Sequence, residues 1–488
     1  MLPEVPRTPA FHRRLATRAE PLALFEALYG GEPLAFLYES LESHGQRGRY
    51  SFIGARPRAV FRSKGDALEL DLAGQTHRAR GNPLDALRRL IRPQLDAPPV
   101  APFCGGAVGY LGYDVVRQIE RLPDARPDDA GVPDAWFLVP REVICFDHLE
   151  KLIHVILYEQ AGHGQRLAEI KSVCTGLESA ARPRHDLVQR AAVAVENGPG
   201  RRSVGAGEVA ASVRANMTRA QFEHMVERAK EYIRAGDVFQ VVLSQRFEFE
   251  ATAPPLAYYR ALRETNPSPY MYYLRLAELH IAGSSPEVLV GLTGRRVVTR
   301  PLAGTRRRGA TEEEDLALGR ELRADPKEQA EHVMLVDLGR NDLGRVCERG
   351  SVRVSDVMEI ERHSRVMHLV SSVEGWLRED CDAVDVFRAT FPAGTVSGAP
   401  KIRAMQIIDE LEPQPRGVYA GAIGYFSNLG DMDLCIAIRT MVLHGGRGFV
   451  QAGAGVVADS IAAREYDETL SKANALLRAV GLARAAGS

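Results

Sequence analysis

Two pairs of carboxylates stand at the spacing that puts side chains on one face of a helix. Glu328 and Glu331 follow Asp325-Pro326, and Glu465 and Glu468 lie near the C-terminus with Lys472 four residues on. Residues three or four apart share a helix face. Carboxylates brought together from two helices suit a hard cation such as Mg2+, which takes few protein ligands and keeps its water. A single E-x-x-E is as a rule a solvated acidic face; two pairs, one beside a glycine run and a lysine, weigh against that. Arg439 shares a strand face with the small residues Cys435 and Ala437, which leaves room for an anion. An edge arginine covering apolar surface fits that pattern equally well. His368 falls in a strand between Val366 and Val370, where a hydrogen-bonded core histidine is the commoner outcome. The small-residue loop PAGTVSGAP (392–400) feeds a helix with Pro400 at its first position. Such loops approach ligands closely or merely turn the chain. Gly453-Ala454-Gly455-Val-Val-Ala458 matches the G-x-G-x-x-A dinucleotide fingerprint. That fingerprint opens a long βαβ unit, yet only 33 residues follow Gly455. The dinucleotide reading fails, and what remains is a glycine turn whose amides can face an anion at a helix start.

Elements must hold these residues. The chain has 488 residues, 45% hydrophobic and 26% charged, with a net charge of -1. This is globular composition for two or three lobes, without the field that favours nucleic acid or membranes. Only seven of the 62 basic residues are lysine, so any amine chemistry has seven places to come from. Six cysteines without a C-x-x-C pair, no apolar leader and no run of eighteen apolar residues point to a reduced, cytoplasmic protein. A composition shift near 181–216, with ENGPGRRSVGAGE, reads as a linker between an N-terminal lobe (1–180) and a C-terminal lobe (217–488). The second lobe opens with a helix capped by Thr218 and Gln221 and closed at Gly236. A strand Val238–Phe247 follows, with Gln240, Ser244 and Arg246 on its polar face. Strands are expected over 270–276, 279–283, 297–300, 366–373, 418–426, 433–443 and 448–452, and helices over 312–323, 326–340, 382–390, 400–411 and 460–483. Strands in runs without strictly alternating helices predict an α+β fold with antiparallel sheets.

Longer strings carry a family resemblance. GDVFQVVLSQRF (236–247), GSSPEVLV (283–290), RPLAGTRRRG (300–309), EHVMLVDLGRND (331–342), HLVSSVEG (368–375), FPAGTVSGAPK (391–401), GVYAGAIGY (417–425), IAIRTMV (436–442) and QAGAGVVADS (451–460) stand in the order seen in chorismate-utilising enzymes. FLYES (36–40), RYSFIG (49–54), GGAVGYLGYDVVR (105–117) and NPSPYM (266–271) narrow the resemblance to the large, aminating subunits of anthranilate synthases. It implies two antiparallel sheets packed as a sandwich with helices outside, and a regulatory segment near the N-terminus. Family members of the aminodeoxychorismate type carry a nucleophilic lysine where this chain has Ala303. Isochorismate and salicylate synthases carry a water-activating lysine where it has Gln240. Both lysines are missing, which by the resemblance points to ammonia as the nucleophile; ammonia brings its own lone pair and needs no strong base.

The resemblance assigns roles. Glu331 and Glu468 would hold Mg2+, supported by Glu328 and Glu465. Glu287 would be the general acid, Gln240 would face ammonia, His368 would serve the later elimination, and Thr395 would be a supporting partner in the catalytic group. Gly304, Thr305, Tyr419, Arg439, the amides of Gly453, Ala454 and Gly455, and Lys472 would bind chorismate. Leu37, Glu39, Ser40, Pro269, Tyr270 and Met271 match a tryptophan feedback site, with Tyr38 in place of the usual leucine. None of the cysteine contexts FCGG, ICFD, VCTG, VCER, DCDA and LCIA is a glutaminase elbow, so ammonia would come from a separate glutamine amidotransferase subunit, often in a heterotetramer. The expected reaction is chorismate plus ammonia to anthranilate and pyruvate, opening tryptophan synthesis. Competing readings are an aminodeoxychorismate or aminodeoxyisochorismate synthase, a ligand sensor with a dead site, and a dinucleotide oxidoreductase.

Overall fold

The computed structural model describes residues 2–41, 48–91, 98–123, 126–159, 161–181, 213–363 and 366–487. The expected linker lies outside these residues except at its ends, where Val213–Ala215 is a short strand.

The strands that build the site are, in chain order, β1 (Leu34–Glu39), β2 (Tyr50–Lys64), β3 (Gly106–Leu111), β4 (Ala135–Asp147), β5 (Gln240–Glu250), β6 (Tyr270–Leu276), β7 (Leu279–Ser285), β8 (Val288–Thr293), β9 (Arg296–Thr299), β10 (Leu302–Arg307), β11 (Val366–Trp376), β12 (Ala422–Ser427), β13 (Met432–Ile436), β14 (Thr440–His444) and β15 (Arg447–Val456). The helices that matter are α1 (Arg219–Arg234), α2 (Glu312–Ala324), α3 (Pro326–Gly344), α4 (Lys401–Leu411) and α5 (Ala462–Gly487).

Two layers arise from one continuous antiparallel ladder because β2 and β4 are long enough to serve both. The first halves of β2 and the last residues of β4 pair beside β1, and the order runs on through β6, β7, β14, β15 and β5. The other halves join β3, β12, β13, β8, β9, β11 and β10. Between Pro57 and Ala59 the register of β2 on β4 slips, next to Arg56 at φ +53°. Such a bulge bends a strand and steepens its twist, here turning the ladder over on itself. Inward-facing Phe36, Phe52, Tyr110, Trp136, Leu274, Ile281, Ile423 and Cys435 fill the space between the layers. This is the expected sandwich of antiparallel sheets. Helices cover the outer faces: α1 and α4 lay Phe222, Val226, Ile407 and Ile408 against Val241 and Leu243 of β5. The capping box of α1 is formed as expected. Strands from before residue 181 and after residue 216 are woven into both layers.

Two expectations about strands are corrected. The strand expected over 433–443 is broken at Ala437–Arg439, where the chain passes from the ladder beside β12 to the ladder beside β7. Ala437 N–H donates to Gly421 O at 2.8 Å, and Arg439 O accepts from Ser284 N–H at 3.1 Å. Arg439 takes φ +50° and so lies in the break between β13 and β14, not on a strand face. The strand expected from residue 418 begins at Ala422, since Gly417 and Ala420 adopt positive φ in a turn. Among the described residues no helix is long and apolar enough to cross a membrane.

Candidate active site

Helix α3 starts at Asp325, whose carboxylate accepts from the N–H groups of Lys327 and Glu328. This cap fixes the first turn, from which Glu328 projects, with Glu331 on the same face one turn on. β10 packs beneath it. Its register slips at Gly304, which sits at φ +62°; a Cβ there would lie 2.9 Å from Glu328 Oε2. Glycine meets both demands without strain. Arg306 donates to Glu328 Oε1 at 3.2 Å and to Asp325 Oδ2 at 2.9 Å.

The same bulge aims the Gly304 carbonyl at His368 on β11. His368 Nδ1 lies 3.0 Å from Gly304 O and 3.1 Å from Thr305 Oγ1. A carbonyl only accepts, so the proton is on Nδ1 and the lone pair on Nε2. Nε2 is buried without a partner among the described residues. Burial pushes the His368 pKa down to about 4, which leaves a neutral imidazole with an open acceptor.

Gln240 begins β5 opposite the glycines of β15. A Cβ at Gly455 would meet Gln240 Nε2 at 2.7 Å, and one at Gly453 would meet the Tyr419 hydroxyl at 2.8 Å. These glycines belong to a strand, because β15 continues to Val456 and α5 starts only at Ala462. The expected glycine turn at a helix start is therefore corrected. The glycines instead make space for two side chains to lie across the sheet. β14 pairs with β15 only over 447–450, so among the described residues no strand lies against the other edge of Gly453, Ala454 and Gly455. Gln240 Nε2 donates to Glu331 Oε1 at 3.2 Å, and its Oε1 is buried without a partner among the described residues.

Glu331 is thereby joined to the second carboxylate pair. Burial raises its pKa, and the nearby charges of Glu328 and Glu468 raise it further while the Gln240 amide lowers it. Glu465 is raised by burial and by Glu468. Lys472 bridges back to the sheet, donating to Glu468 Oε1 at 2.8 Å and to Gly453 O at 2.9 Å. The four carboxylates thus sense one another, although no three His, Cys, Asp or Glu side chains among the described residues form a preformed metal cage. Mutually repelling, half-desolvated carboxylates fit Mg2+, which binds through one or two of them with water and substrate oxygens.

Glu287, between β7 and β8, is 7% exposed. Thr395, from the 392–400 loop, donates to its Oε1 at 2.9 Å. Burial pushes the Glu287 pKa up to about 8, against the opposing pull of Thr395, Arg439 and Lys472. A carboxyl held neutral near pH 7 can donate a proton. The helix α4 begins one residue later than expected, with Pro400 as its N-cap.

Ser40, Pro269, Tyr270 and Met271 line a cavity of about 800 Å³ between the layers, together with Glu39 and Glu287. The Glu39 carboxylate is occupied by protein donors, Tyr259 at 2.6 Å and Arg263 at 3.1 and 3.2 Å. Leu37 is buried in the outer core with Tyr259 and is not brought to this cavity.

The motifs did not reveal Arg416. It is buried, donates to Val396 O, Val242 O and both Glu412 oxygens, and stacks over Tyr113 and Tyr419. It ties the Thr395 loop to β5 and to Tyr419. Its three-residue spacing from Tyr419 was the available signal. Lys401 also works inside the protein, donating to Asp342 Oδ2 at 2.7 Å and Thr390 O at 3.1 Å.

Comparison with known proteins agrees with this geometry. The chorismate binding enzyme family matches residues 35–478. The chain is 47% identical to anthranilate synthase component 1 of Thermus thermophilus over 96% of this chain and 97% of that one. It is 45% identical to that of Acetivibrio thermocellus, covering 94% and 92%. The structure of anthranilate synthase component I from Streptococcus pneumoniae superposes with a TM-score of 0.75 at 40% identity, covering 95% of this chain and 99% of that one. An Escherichia coli isochorismate synthase, 21% identical, shares the fold with a TM-score of 0.68. The chain therefore belongs to the chorismate-binding enzymes and stands among their anthranilate synthase component I members.

Proposed function

We propose that this enzyme, a lyase, converts chorismate and ammonia to anthranilate and pyruvate in a Mg2+-dependent reaction, the step that opens tryptophan synthesis. Arg439, Tyr419 and Lys472, with the open edge of β15, bind the enolpyruvyl carboxylate; a guanidinium fork suits that group. Gly304 and Thr305 line the ring. Glu331 and Glu468, with Glu328 and Glu465 behind them, would hold Mg2+. When bound, Mg2+ neutralises the ring carboxylate and acts as a Lewis acid.

Glu287 gives its proton to the C4 hydroxyl as the C4–O bond breaks, with Thr395 orienting the acid. Ammonia adds at C2, its N–H directed to the open Gln240 Oε1. In the second stage the C2 proton is lost and pyruvate leaves, with neutral His368 Nε2 as the nearby acceptor. The observation that carries the amination is the Gln240 amide, with one end anchored on Glu331 and its acceptor end unpartnered among the described residues. Gly455→Ala should push that amide aside, since the new Cβ would meet Nε2 at 2.7 Å. Displacement of a positioned group by about 1 Å costs on the order of 10²-fold in rate. Steady-state amination kinetics should show that loss in kcat with an unchanged circular dichroism spectrum.

Ammonia reaches the site from a separate glutamine amidotransferase subunit, a cytoplasmic partner, in a heteromeric complex. Tryptophan inhibits by binding the interlayer cavity at Ser40, Pro269, Tyr270 and Met271 beside Glu39. Ser40→Phe should fill that end and abolish inhibition that the wild type displays; equal inhibition of both would remove Ser40 from the site. The reaction itself is tested by supplying chorismate, Mg2+ and an ammonium salt. Anthranilate and pyruvate should appear in equal amounts, whereas a non-aromatic amino product would favour an aminodeoxychorismate or aminodeoxyisochorismate synthase.

A further inference from the structure

A cavity of about 40 Å³ lies behind Glu287. One wall is a single face of α3, with Leu335, Leu338, Gly339 and Asp342 at helical spacing. Residues 299–301 and the 390–395 loop supply others. Thr299 is 8% exposed, and its Oγ1 has no hydrogen-bond partner among the described residues. That hydroxyl faces α3, since a Cβ at Gly339 would lie 3.2 Å from it. Arg300, in the same wall, has a buried Nε without a partner among the described residues, while its Nη2 donates to Glu361.

A buried hydroxyl without a partner is costly, and water is the usual remedy where the space is polar and large enough. A void of this size has room for one or two waters. Asp342 of the same lining is ion-paired with Lys401, their side chains 12% and 10% exposed. Lys401 engages Oδ2 of Asp342, which leaves Oδ1 for another donor. Burial lowers the Lys401 pKa and raises that of Asp342 to about 6, so this pair exchanges a proton more readily than a solvated one.

We infer that the cavity is a built water site, and that water held by Thr299 and Asp342 returns a proton to Glu287 after each turnover. This rests on the acid role proposed for Glu287. Glu287 becomes a carboxylate when its proton leaves with the C4 oxygen. A cavity water then gives it a proton and takes one from the Lys401–Asp342 pair, which refills from solvent. The ammonium formed at C2 releases one proton to solvent, so protons balance over the cycle.

The test combines a crystal structure with pre-steady-state kinetics on the full-length protein, using chorismate, Mg2+ and ammonium. Wild-type crystals should show a water within hydrogen-bond distance of Thr299 Oγ1, and Thr299→Val should lose it. The first turnover of Thr299→Val uses the proton already on Glu287 and should run at the wild-type rate. Later turnovers should be about tenfold slower, giving a burst of one product per site. Thr299→Ser should restore linear kinetics, and Gly339→Ala, which fills the cavity but keeps the hydroxyl, should reproduce the burst. A dry cavity in the wild type, or first and later turnovers of Thr299→Val that fall together or not at all, overturns the inference. Absence of anthranilate from the wild type would instead overturn the proposed reaction.

Discussion

Glu287→Gln should lose roughly 10²–10⁴-fold in kcat while its KM for chorismate stays within a few-fold of the wild type. The amide keeps the shape and the Thr395 hydrogen bond but has no proton to give. The wild type should lose kcat as pH rises through about 8, because burial holds the acid neutral below that value. The residual activity of the variant should lack that limb. Stability moves the other way. The folded-state pKa lies above the ordinary 4.5, so between those values the folded protein binds more protons than the unfolded chain. Wild-type stability therefore falls as pH rises from about 4.5 to about 8. Glu287→Gln is spared that loss and should be more stable at pH 8, on the order of 4 kcal/mol by the size of the shift. Thermal melts of both proteins at pH 5 and pH 8 check this. A variant that is inactive and also less stable at pH 8 would place Glu287 in a structural role.

Glu331→Ala and Glu468→Ala should each reduce kcat/KM by about 10²–10³-fold, the loss expected when several kcal/mol of metal assistance is removed. Mg2+ binding measured by calorimetry should weaken in parallel. Folding should not suffer in Glu331→Ala, because its carboxylate is held in a desolvated place beside Glu328 and Glu468, and removing it relieves repulsion. Glu468→Ala also frees Lys472, which keeps its bond to the Gly453 carbonyl. If both variants bind Mg2+ as the wild type does, the carboxylate assignment is wrong.

Local periodicity made several elements legible. The strand at 270–276 and the helices at 326–340 and 400–411 were visible because apolar residues recur at the strand or helix period. The break at Ala437–Arg439 was not visible. The alternation from Cys435 to Val442 is that of one strand, and the break comes where the chain changes pairing partner from β12 to β7, which periodicity does not record. The interleaving of early and late strands was equally hidden, since Ala422 pairs with Leu111 and Tyr273 with Leu37. For the site, spacing alone exposed the two carboxylate pairs and left Arg439 and His368 undecided. The family strings chose among those readings, but the geometry needed the fold. The bulge at Gly304 that fixes the tautomer of His368, and the strand glycines that admit Gln240 and Tyr419, depend on neighbours brought from other elements.

The central claim is that ammonia, and neither water nor an enzyme amine, attacks C2. The most direct measurement is mass spectrometry of the products formed from chorismate and Mg2+ with ¹⁵N-ammonium in H₂¹⁸O. The predicted result is anthranilate carrying one ¹⁵N, together with pyruvate, and protein of unchanged mass. Isochorismate or salicylate bearing ¹⁸O, or a chorismate-derived adduct on a lysine, would contradict it.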